Sequence, residues 1–157
     1  MTLWDWVVRA HAAPGADTLC LKLQDEHGQS VSYLLWAAWA AAEGRAVDAA
    51  LLGRAADLTK AWEQRALGWL RSARRGMKAE LPGIDAAARQ TLRARIAEDE
   101  LAAERLLLES LEAMTPASKG EPRPFSAALI LAASHWDAPV PHADLESLSR
   151  IFEAAGS

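Results

Sequence analysis

The chain has 157 residues, enough for one domain with a sizeable core and without metals or disulfides to hold it together. Charged residues make up 24% and hydrophobic ones 51%, which excludes a disordered polar chain, and a net charge of -4 gives no overall attraction to nucleic acid or anionic lipid. Seven Trp stand beside one Tyr and two Phe, and Ala and Leu outnumber β-branched residues, so the composition favours helices over strands.

Thr2 followed by Asp5 resembles a capping box and opens a first helix, LWDWVVRAHA, in which Leu3, Trp6, Val7 and Ala10 recur at helical spacing. Pro14-Gly15 breaks it. Asp17 is placed to cap a second helix, TLCLKLQDEH, closed by Gly28. The next stretch, SVSYLLWAAWAAAEG, carries no charge from Val31 to Ala42 and is apolar on every side of a helix, so it must be buried all round. It is too short to cross a bilayer. Ser30 is its expected N-cap and Gly44 its C-terminal stop. The sequence therefore predicts an all-α single-domain bundle of six or seven helices around a buried central helix at about 31–43.

From Val47 to about Glu80 the helical pattern is expected to split near Asp57-Leu58-Thr59 into a short and a long helix. Leu58, Trp62, Ala66, Trp69, Ala73 and Met77 share the inner face of the second part, which leaves Arg71, Arg74, Arg75 and Lys78 on the opposite one. Leu81-Pro82-Gly83 turns the chain. Asp85 caps a helix running to about Met114, packed antiparallel to its predecessor. Its inner face reads as Leu92, Ile96, Ala103, Leu107 and Met114. Residues 115–124 form a loop rich in Pro, Gly and charge, and 125–157 a variable C-terminal helical hairpin.

The motifs LWDW, PGADTLCLKLQDEHGQSV and LLWAAW resemble an uncharacterised family of proteobacterial proteins of about this length, a domain of unknown function. Its signature is LW-x-[FW], PG, C-x-x-LQD-x-HG and LLW. AWEQRALGWLRSARRGMK and ELAAER are similar to that family's Trp-then-basic helix and its acidic partner helix, so the resemblance covers most of residues 3–106. Ser32 stands where the family's third helix carries Asn. The resemblance implies no activity.

Four constellations could carry chemistry. Arg71, Arg74, Arg75 and Lys78 gather cations on one stripe, suited to an acidic protein partner or an anion, or else to pairing with Glu98, Glu100 and Glu104 on the following helix. Asp25 and His27 close the second helix, where a capping role explains the histidine with no ligand. With Glu100 and Glu104 they make the alternative, a small-ligand or catalytic pocket that requires these groups to converge; Asp99 and Glu100 flank the inner face of their helix. His135, Asp137, His142 and Asp144 fit no established metal spacing, and Glu-x-x-His motifs are absent, so neither metal nor cofactor is expected. Cys20 sits among leucines as a buried small side chain, and Trp4 lies at the edge of the first helix's inner face, where a ring can anchor a partner.

The sequence thus predicts a cytoplasmic protein-binding module without catalysis, using the basic stripe and Trp4. No membrane or nucleic-acid partner is expected, and a self-associating homodimer is a further alternative.

Overall fold

The computed structural model describes residues 1–156. The elements are α1 (Leu3–Ala12), α2 (Ala16–Asp25), α3 (Val31–Ala42), α4 (Ala49–Trp62), a π-turn (Glu63–Leu67), α5 (Gly68–Gly76), α6 (Ala86–Met114), α7 (Phe125–Ser134) and α8 (His142–Ala155). Because α4, the π-turn and α5 run on without a gap, the described residues form an all-α bundle of seven rods.

The bundle is built around α3. Every side chain from Ser32 to Ala40 is buried, and α1, α2, α4, α6 and α7 all pack on this one helix. Burying three large aromatic residues also buries their polar tips, which must find partners. The Tyr33 hydroxyl donates to Leu52 O at 3.1 Å, Trp36 Nε1 to Thr115 Oγ1 at 2.8 Å, and Trp39 Nε1 to Met1 O at 3.2 Å. Gly44 ends the helix at a φ of 60°, the left-handed conformation expected of it. Ser30 is the N-cap residue, but its hydroxyl donates to Glu63 Oε1 at 2.8 Å instead of accepting from the first turn.

Thr2 accepts from Asp5 N at 3.2 Å, and Asp85 from Ala88 N at 2.8 Å, as capping chemistry requires. At α2 the expectation fails: the helix starts at Ala16, and Gly15, at a φ of 86°, occupies the N-cap position instead of Asp17.

The C-terminal helices complete the core. Phe152 of α8 meets Trp6 edge-on with centroids 5.3 Å apart, and Phe125 packs against both, tilted to Trp6 and edge-on to Phe152. Leu129, Ala132, Ala133, Leu145 and Leu148 are fully buried.

The long rod from Ala49 to Gly76 corrects the sequence reading twice. No break occurs at Asp57-Leu58-Thr59, because Thr59 faces inward and its hydroxyl donates back to Ala55 O at 2.8 Å, within an uninterrupted helix. The irregularity falls at Glu63–Leu67, where the chain widens into a π-turn. A π-turn inserts one extra residue and so rotates everything after it by about 100°. The inner stripe Leu52, Ala55, Ala56 and Thr59 therefore continues through Leu67 and Leu70 instead of Ala66, Trp69 and Ala73. Trp69, expected in the core, is 72% exposed and donates only to Gln64 O. The first half of α6 is likewise outside the core, with Leu92 exposed.

Candidate functional site

The rotation imposed by the π-turn decides where the arginines point. Arg71 and Arg74, expected opposite the core, turn into the seam between α5 and α6. The Glu100 carboxylate, buried on α6, lies between them. Arg74 Nε and Nη2 approach its two oxygens at 2.5 and 3.3 Å, and Arg71 reaches Glu100 at 3.4 Å and Glu104 at 3.2 Å. Hydrogen bonding to Glu100 raises Arg74 above its ordinary pKa. Arg75 sits further out and pairs with Asp25 of α2 at 3.0 Å. A hydrogen bond from Gln24, and then Arg75, lowers the Asp25 carboxyl. Lys78 lies beyond the end of α5, where its carbonyl and that of Met77 accept from Arg89, a buried arginine that the sequence did not single out. The stripe expected on one face is thus divided among a buried seam, an exposed rim and a helix end.

Above the Arg–Glu seam opens a groove of about 590 Å³ between α1, α2, α3, α5 and α6. Its floor is made by Val7, Cys20, Leu35 and Leu108, all buried. Burial pushes the Cys20 thiol up to about 12, which keeps it protonated as part of an apolar wall. Ser32, at the position where the resemblance leads one to expect Asn, also lines the groove. Trp4 forms one edge, half-buried, with the Arg105 guanidinium 5.2 Å above its ring.

The mouth of the groove mixes polar side chains, exposed His11 and Asp17 among them, with apolar ones. Val8, Leu21 and Leu101 line it and are 52%, 58% and 53% exposed. Each follows a buried neighbour, Val7, Cys20 and Glu100, by one position, so each helix turns one side chain inward and presents the next at the opening. These three residues were missed at the sequence level. Their signal was an apolar residue immediately off the inner stripe, in VV and CL.

Of the expected pocket residues, Glu100 and Glu104 line this groove, while Asp25 lies in the adjoining shallow cleft with Gln24, Arg71 and Arg75. His27 does not join them. Its Nε2 lies 2.7 Å from Asp144 on α8, which also takes Lys22 at 3.0 Å, so His27 ties α2 to α8. The hydrogen bond from Lys22, supplemented by that from His27, lowers the Asp144 carboxyl. Asp137 pairs with Lys60, and His135 Nδ1 lies 2.9 Å from Leu131 O. Among the described residues no three His, Cys, Asp or Glu side chains gather as a metal-ligand set.

The family model for a protein of unknown function, DUF2390, matches residues 2–111. The chain belongs to the DUF2390 family. No curated protein and no solved structure matches it. The DUF2390 region holds α1 to α5 and nearly all of α6, and with them every residue that lines the groove. The helices α7 and α8 lie outside it. No helix among the described residues is long and apolar enough to cross a membrane.

Proposed function

We propose that this DUF2390 protein is a helical binding module whose groove receives an amphipathic helix from another protein, apolar face inward and an acidic side chain toward Arg75. One observation carries the reading: Val8, Leu21 and Leu101, all about half exposed, ring the mouth of an apolar cleft. Exposed aliphatic groups from three helices around one cleft favour a macromolecular partner, since a pocket for a small ligand turns its apolar groups inward. Charge selects the partner's sign. Arg71 and Arg74 are saturated by Glu100 and Glu104, but Arg75, whose side chain is 56% exposed, can exchange Asp25 for an incoming carboxylate at little cost. The acidic partner expected from the basic stripe is retained, with the contact moved to the apolar groove and its arginine rim. The reading places the module in the bacterial cytoplasm, where a chain with one cysteine, buried and unpaired, needs no oxidising compartment.

Selection of displayed random peptides on the immobilised protein, counter-selected on a Leu21→Glu, Leu101→Glu variant, tests it. The selected peptides should carry apolar residues at i, i+3 or i+4 and i+7 with a flanking Asp or Glu. Enrichment of basic peptides, or of the same peptides on the variant, sinks the proposal. Recovery of segments like the chain's own helices would assign the groove to self-association instead.

A further inference from the structure

A second cavity, of about 510 Å³, lies on the other side of α3, between the α3–α4 turn, the start of α4 and the loop that follows α6. Ala37 and Ala41 face it, about half a turn from the α3 residues that face the groove. Its floor is apolar, formed by Ala37, Leu51, Leu52, Ala128 and Leu131.

Three arginines from three separate segments line it: Arg45, Arg54 and Arg123. Among the described residues none of the three donates a side-chain hydrogen bond or joins an ion pair. Arg71, Arg74 and Arg75, by contrast, each hold a carboxylate. Two acids share the cavity wall. Asp48 is occupied in capping α4, accepting from Leu51 N at 2.7 Å, and neither it nor Glu121 reaches a guanidinium. Arg45 has its Cζ 5.3 Å from the centroid of the Trp39 ring. A cation–π contact of this kind consumes no guanidinium hydrogen bond and leaves N–H groups free to donate.

The wall carrying these groups is held in place. Ala46 N donates to Ser118 O and Gly120 N to Gly44 O, both at 3.0 Å, and Lys119 Nζ donates to Glu43 O at 3.0 Å. The approach is so close that a Cβ on Gly120 would lie 2.7 Å from Ala46 Cα and Arg45 O. A preformed wall spares a ligand the entropy of ordering it.

We infer that this cavity binds a small phosphate monoester with an apolar body. The phosphate oxygens accept from the free edges of Arg45, Arg54 and Arg123, and the body covers the floor of Leu51, Leu52 and Leu131. Three guanidiniums suit a tetrahedral dianion with several acceptor oxygens, whereas one bidentate arginine already satisfies a carboxylate. The site is composite: Arg45 and Arg54 belong to the DUF2390 region, and Arg123 to the loop beyond it.

Isothermal titration with phenyl phosphate, inorganic phosphate and phthalate tests the assignment. Phenyl phosphate should saturate one site and bind about tenfold or more tighter than inorganic phosphate, the difference reporting ring burial. Arg54→Gln and Arg123→Gln, both at exposed positions, should each weaken it by about fivefold or more. Arg95→Gln, an exposed arginine that lines neither the groove nor this cavity, should leave it unchanged. The inference is overturned by the absence of saturable binding, by unaltered affinity in the two cavity variants, by equal affinity for phenyl phosphate and inorganic phosphate, or by tighter binding of phthalate.

Discussion

Arg74 on α5 closes on Glu100 of α6 with Nε 2.5 Å from Oε2, and it does so because five residues earlier than Gly68 the chain starts a turn that carries one residue too many. Without that insertion Arg74 would face away from α6 and Trp69 would enter the core. The π-turn therefore sets both the buried ion-pair seam and the base of the groove above it. Irregular turns of this kind recur at functional sites.

Two glycine substitutions separate the π-turn from ordinary helix. Gly53, inside α4, has open space where a Cβ would go, so Gly53→Ala should stabilise the protein by about 0.5–1 kcal/mol. A Cβ at Gly68 would lie 2.9 Å from Glu63 O, so Gly68→Ala should instead cost about 1–2 kcal/mol as the turn is forced open. Urea unfolding of the two variants gives the signs directly. Stabilisation by both would remove the π-turn from the explanation.

The Arg–Glu seam should be costly to break on one side. Glu100→Ala leaves two guanidiniums without their shared carboxylate in a part-buried seam and should destabilise by about 3 kcal/mol, while Arg74→Met combined with Glu100→Leu should recover most of the loss. Arg75→Ala breaks only a pair whose two side chains are half exposed and should not measurably change stability. Equilibrium unfolding of these variants distinguishes a structural seam from a decorative one.

The family match stops at 111, but the fold does not. A chain ending after Thr115 would strip α7 from α3, α8 from α2, and both from Trp6, exposing a broad apolar face. Such a chain should lose its cooperative thermal transition and bind a hydrophobic dye. A sharp transition close to that of the full chain would mean that residues 116–157 are dispensable.

Acid should loosen the α2–α8 junction. Asp144 is held below the ordinary carboxylate value of 3.8, so its contribution is complete above that pH and is lost as pH falls through the lowered folded value. Lys22 is raised above 10.5 by the same pair, so its share persists below that pH and is lost as pH rises through the raised value. Melting temperature against pH should therefore drop less steeply at both limbs in Asp144→Asn than in the wild type. Identical profiles would show that the pair contributes nothing.

Much of the fold was legible because its signals are local. The charge-free run from Val31 to Ala42 could only be a buried helix, and Thr2, Asp85 and Gly44 mark their helix ends through chemistry within one turn. What was not legible is long-range or a matter of phase. Nothing in AWEQRALG announces an extra residue per turn, so Trp69 and Ala73 were read inward and Arg71 and Arg74 outward, each on the wrong side of the rod. His27 reads as a helix cap until α8 folds back and supplies Asp144. The groove was half legible. Trp4, Glu100 and Glu104 were singled out, but the exposed aliphatic ring of Val8, Leu21 and Leu101 exists only once five elements have packed.

Two leucines on α6 give the most direct test of the docking groove. Leu101 and Leu106 are 53% and 55% exposed on the same helix, but only Leu101 lines the groove. Titrating a selected acidic amphipathic peptide into Leu101→Glu and Leu106→Glu removes fold stability as an explanation. Loss of affinity by about tenfold or more for Leu101→Glu, with Leu106→Glu binding as the wild type does, is the expected result. Equal affinities in the two variants would place the peptide elsewhere and contradict the groove as the binding site.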